Sequence, residues 1–225
     1  MKHFDASENQ TKGRALSSAS ATALAVASIL SVSQVAHAHN VTPPDVPVEI
    51  QVPAGNVAFL KGSAVGTQNY ACSPSGAGFA WILFTPEATL FNRADKQIIT
   101  HFFGPNPDPN DVNTDPRVVS KGTIRAAWQA RDTSTVWAKL SPLSRPVVVR
   151  PDSIPWLLLE TVGMQEGPTG GDTLTPTTFI QRINTVGGLA PSTGCANSAD
   201  VGKKAFVPYT ADYFFFAKPE AADSN

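Results

Sequence analysis

Short apolar runs alternate with turn-forming residues along nearly all of the chain beyond its first fifty residues. Runs at 57–60, 65–72, 80–84, 88–91 and 98–103 are rich in β-branched and aromatic residues and are bounded by Gly, Pro, Asn and Asp. Runs of the same kind follow at 123–129, 135–140, 147–149, 155–162, 178–184, 205–210 and 213–217. This composition predicts strands, because branched and aromatic side chains suit a pleated, half-buried surface. Strands at such spacing, without helical periodicity between them, predict an all-β fold: a single-domain antiparallel β-sandwich or barrel. The unbroken run Trp156-Leu157-Leu158-Leu159 reads as a strand covered on both faces. Residues 178–184 also fit a short helix, since Phe179, Ile183 and Val186 recur at three-to-four spacing.

Two stretches are too rich in backbone punctuation for regular structure. Residues 104–120 contain Pro105, Pro107, Pro109 and Pro116, and residues 163–176 contain Gly167, Gly170 and Gly171 with Pro168 and Pro176. Both read as long Pro/Gly-rich loops, the kind of segment that often carries function. The whole chain of 225 residues has 19 Pro and 16 Gly, which disfavours long helices. With 42% hydrophobic and only 16% charged residues it can bury a core, so a disordered chain is excluded. A net charge of −1 argues against nucleic acid or an anionic membrane surface as partner.

The first 38 residues read as an address. Lys2, Lys12 and Arg14 precede an apolar run at 21–32 that ends at Ala36-His37-Ala38, the pattern of a cleaved secretory signal peptide. At about 12 residues the run is short of the roughly 20 needed to span a bilayer; an uncleaved anchor is the alternative. Residues 39–225 then form one β-rich domain, core about 45–217, with no transmembrane segment after cleavage and a periplasmic or extracellular destination. In that compartment Cys72 and Cys195, neither in a Cys-x-x-Cys pair, are expected to form a disulfide. Closing so long a loop contributes about 4–5 kcal/mol in the chain-entropy picture.

Several stretches together resemble a known family. They are Gln68-Asn69-Tyr70-Ala71-Cys72, His101-Phe102-Phe103-Gly104-Pro105, Arg131-Asp132-Thr133-Ser134, Ile154-Pro155-Trp156-Leu157-Leu158-Leu159, Phe179-Ile180-Gln181-Arg182 and Val207-Pro208-Tyr209-Thr210-Ala211-Asp212-Tyr213-Phe214. The chain is similar to the secreted bacterial and fungal proteins called domain of unknown function 3455. The resemblance implies an exported, β-rich single domain and brings no established active site. Some proteins of that family carry a malate dehydrogenase label. A Rossmann-type nicotinamide site needs Gly-x-Gly-x-x-Gly between a strand and a helix, and Gly163, Gly167, Gly170 and Gly171 do not form it. That activity is disfavoured.

Candidate chemistry is sparse. Cleavage after Ala38 would make His39 the first residue, offering its amine and imidazole to one metal, with His101 supplying a third nitrogen. Such a set suits Cu(II) and resembles the histidine brace of copper-dependent polysaccharide monooxygenases. Against it stand a frayed terminus at His39 and a strand-end role for His101. Asp108, Asn110, Asp111, Asn113 and Asp115 crowd one loop with oxygen ligands, but the EF-hand spacing fails at Asn113 and Val119. Asp132 and Ser134 beside Arg131 could make a polar site or a hydrogen-bonded turn. No Gly-x-Ser-x-Gly elbow accompanies them. An exposed cluster Tyr213-Phe214-Phe215-Phe216 could bind carbohydrate or a partner, since strand alternation alone buries only half of it; core packing is the favoured reading. The reading is a structural or ligand-binding module of the cell envelope with an unidentified envelope or extracellular ligand. The alternatives are a copper protein using His39 and His101, or an enzyme of unrecognised type.

Overall fold

Alternation within the apolar runs resolves into eight strands: β1 (Val57–Ser75), β2 (Gly78–Phe91), β3 (Gln97–Asn106), β4 (Thr123–Ala130), β5 (Thr135–Leu140), β6 (Leu157–Gln165), β7 (Thr177–Gly187) and β8 (Lys204–Ala217). The structure is a computed structural model and describes residues 41–111 and 123–219. Every strand pairs antiparallel with its successor, and β8 returns to β1, so the sheet closes into an up-and-down barrel. Closure leaves no edge strand, although β2 before Ala88 and β3 after His101 part from each other. Among the described residues there is no α-helix, and no helix is long and apolar enough to cross a membrane.

The strands are fewer and longer than the turn signals predict. Gly62 reads as a break between the runs at 57–60 and 65–72, yet it lies inside β1, as does Gly66. A Cβ on Gly66 would overlap the Glu87 carbonyl oxygen and the Ala88 Cα, so glycine marks a close approach of β2 rather than a turn. Pro86, between the runs at 80–84 and 88–91, likewise sits within β2, and Pro208 lies within β8 as its run at 205–210 predicts. The segment at 178–184 is strand β7, not helix, while Val147 makes only an isolated bridge with Trp156.

The first residues of both stretches read as loops are strand, and residues 112–122 lie outside the described residues. Residues 104–106 finish β3, because pairing of β2 with β3 stops at Ala88–His101 and the last stretch of β3 has only β4 beside it. A proline without an N–H is tolerated on such a one-sided strand. Gly163 lies within β6 and pairs with Trp137, with the Asn106 side chain pressed against its Cα.

Inward positions recur at every second residue and fill the barrel: Leu90, Ile99, Trp128, Val136, Ile180 and Phe215 are all fully buried. Each such side chain contributes roughly 1.5–3 kcal/mol. A second cluster lies outside the wall, where Ile50 and Trp156 pack with Leu158, Ile183, Phe214 and Phe216. Val41 and Val46 pack against this cluster, and all of Tyr213–Phe216 is buried in keeping with core packing, because the 41–52 segment covers the outward half of the alternation.

One end of the barrel is stoppered. The β6–β7 connection folds across it, places Leu174 in the core, and hangs on Asp132. Asp132 accepts from the Ser134 hydroxyl at 2.6 Å, the Thr173 hydroxyl at 2.7 Å, and the backbone N–H groups of both residues. Burial alone would raise this carboxyl's pKa; the donors from Ser134 and Thr173 outweigh it and hold it well below the carboxylate range. The Asp132–Ser134 pair is a structural turn.

Candidate ligand cavity

Toward the other end the barrel is not filled. A cavity of about 300 Å³ lies where β3 runs out, β4 and β6 begin and β5 ends. That volume is at the small end of ligand pockets, roughly 300–1,000 Å³. The separation of β2 from β3 beyond His101 shapes it: there the Phe103 N–H donates to the Thr85 hydroxyl at 3.0 Å instead of to a ladder carbonyl. Leu83, Phe103, Ile124, Leu140 and Leu157 supply apolar wall, and Ala126 and Ala138 leave room because they carry so little side chain.

The buried polar groups converge from five strands. His101 of β3 sits directly opposite Trp128 of β4 and stacks on its indole, centroids 4.1 Å apart. The imidazole Nδ1 lies 2.8 Å from the Ala127 carbonyl oxygen, which accepts, so Nδ1 carries the proton and Nε2 keeps a lone pair. Burial is the main reason that the ring's pKa falls to about 3; the Ala127 carbonyl opposes this and the positive charge of Arg182 adds to it. His101 is therefore neutral at physiological pH. Tyr213 of β8 closes on the same ring pair, and its hydroxyl meets that of Tyr209 at 3.3 Å. Burial and the Tyr213 neighbour push the Tyr209 phenol far above its ordinary range.

Arg182 of β7 shares the parity of buried Ile180 and so faces inward. One guanidinium nitrogen, Nη2, donates to the Pro155 carbonyl at 2.8 Å, while Nε is buried without a partner. The indole nitrogen of Trp128 is buried and unpartnered as well. Gln68 of β1 adds a buried amide to the same wall. At the rim, Arg125 is held by Asp111 at 2.8 Å and Lys139 by Glu160 at 3.5 Å.

The residues singled out in the sequence have separate fates. His101 is central to the cavity, whereas His39 lies outside the described residues. Among the described residues no group of three or more His, Cys, Asp or Glu could hold a metal. Of the oxygen-rich loop, Asp111 is engaged by Arg125 and Asn106, whose hydrogen bonds keep its carboxyl low despite burial. Asn113 and Asp115 lie outside the described residues. Cys72 and Cys195 form the expected disulfide, Cα atoms 5.4 Å apart, and tie β1 to the β7–β8 connection. Hydrogen bonds from Cys72 N–H to Lys203 and from the Trp81 indole to Thr193 hold the same connection against the wall. Sequence reasoning missed Trp128 and Arg182 as site residues. Arg182 had one signal: a cation two residues from Ile180 on a strand shares its face.

A family model described as "Protein of unknown function (DUF3455)" matches residues 53–217, the span that contains all eight strands and the cavity. No curated protein matches the chain, and no solved structure matches it.

Proposed function

The chain belongs to that DUF3455 family, and on this footing we propose that it is an exported binding protein that takes a small, mainly apolar molecule into its barrel. The single observation that carries the reading is the cavity itself, an apolar pocket with a few polar groups among its lining. Eight-stranded barrels have an interior just wide enough to be filled by side chains or to hold one small ligand. Here the alanines at 126 and 138 leave the second outcome open on one side. The disulfide and the leader-like first 38 residues support export to the periplasm or beyond.

The test is titration with the neutral fluorophore N-phenyl-1-naphthylamine. The wild-type protein is expected to bind it with stoichiometry near one. Ala138→Phe, which fills the cavity, should abolish binding while leaving the β-sheet circular dichroism intact. Equal binding by both forms would place the dye elsewhere and defeat the reading.

A second reading, copper binding through His39 and His101, has one supporting observation. Metal-ligating histidines commonly hold the other ring N–H on a carbonyl, as His101 does. It expects Cu(II) affinity in protein beginning at His39 that is lost in His101→Ala; equal affinity in the two would end it.

A further inference from the structure

The polar wall of the cavity is not balanced in charge. Among the described residues lining it are three cations, Arg125, Lys139 and Arg182, and no carboxylate. Arg125 and Lys139 are matched at the rim by Asp111 and Glu160. Arg182 is not: among the described residues no carboxylate reaches it, and its one hydrogen bond goes to a neutral carbonyl. A cation in an apolar pocket is costly unless an anion joins it. Among the described residues that line the cavity, the one further titratable base, His101, is held neutral. Two residues that line the cavity carry a buried N–H donor without a partner, Arg182 at Nε and Trp128 at Nε1. Donors without acceptors beside an unmatched positive charge describe the complement of an anion.

We propose that the ligand is a carboxylate on an apolar body, its carboxylate against Arg182 and its body among Leu83, Phe103, Ile124, Leu140 and Leu157. One uncompensated charge favours a monoanion over a phosphate dianion, and a planar two-oxygen group matches the guanidinium fork. The inference rests on the cavity being the ligand site, and adds the class of molecule. The body can be a flexible chain or a flat ring system, so the probes cover both.

Isothermal titration of the whole protein with decanoate, decan-1-ol, 2-naphthoate and 2-naphthol separates the outcomes. In at least one pair the carboxylate is expected to bind about tenfold more tightly than the alcohol. Arg182→Gln should bring that ratio close to one while changing the alcohol's affinity by no more than about twofold. Arg182→Lys should keep part of the preference, since it keeps the charge and loses the fork. Alcohols binding as tightly as carboxylates, or a preference that survives Arg182→Gln, would overturn the carboxylate assignment and leave the cavity reading standing. If all four probes and N-phenyl-1-naphthylamine fail to bind, both fall together. Should Arg182→Gln not fold, the wild-type ratio decides alone.

Discussion

His101 and Trp128 are directly opposed residues of β3 and β4, and their rings lie 9° from parallel in the barrel interior. An imidazole in that position is coupled to the fold. Its folded pKa, about 3, is below the unfolded value of about 6.5, so the unfolded chain binds the extra proton first. The stability it confers is complete above pH 6.5 and is lost progressively as pH falls from there to about 3. Urea unfolding at pH 7, 5.5 and 4.5 should show wild type losing up to about 1 kcal/mol per pH unit relative to His101→Gln. Parallel pH profiles for the two proteins would show that His101 titrates normally.

Asp132 responds in a different window. Its folded pKa is depressed, so its contribution is present above the ordinary carboxylate pKa and fades as pH falls through the lower folded value. Asp132→Asn removes the charge from the hydrogen bonds given by Ser134 and Thr173. At pH 7 the variant is expected to lose about 1–2 kcal/mol, and the gap to wild type should narrow below pH 4. Thermal melts at pH 7 and pH 3 check it; a gap that widens in acid contradicts the assignment.

Gly163 and Asn106 occupy each other's space. A methyl group on Gly163 would overlap the Asn106 amide, which donates to the Val162 carbonyl at 3.0 Å and to Asp111 at 2.9 Å. Gly163→Ala should therefore cost about 1–3 kcal/mol. The double variant with Asn106→Ala should cost less than the two single losses added together, because one contact causes part of both. Strict additivity in a double-mutant cycle would show that the two sites are independent.

The Cys72–Cys195 bridge spans 123 residues of sequence. Replacing both cysteines with alanine is expected to lower stability by about 2–5 kcal/mol. The loosened β7–β8 connection should then exchange its amide hydrogens faster than the stoppered end around Asp132. Uniform protection across both ends of the barrel would argue that the bridge does not act locally.

Much of this protein is written in local pattern. Alternating branched and aromatic residues identify the strands, since that alternation needs only neighbours on one strand to be expressed. Compartment-appropriate cysteines identify the bridge, and the stretches from Gln68 to Phe214 identify the family. Local pattern misjudged Gly62, Pro86, Gly104 and Gly163, because what each accommodates is a partner strand distant in sequence: Leu90, the parting of β2 from β3, or Asn106. It also left the fold between sandwich and barrel, since closure depends on β1 meeting β8, a pairing that no local run encodes. The site shows the same division. His101 is conspicuous as one of few histidines, but Arg182, Trp128 and Gln68 are ordinary residues until register and closure bring their strands around one cavity. Their function depends on which charge has a partner, and only the assembled barrel decides that.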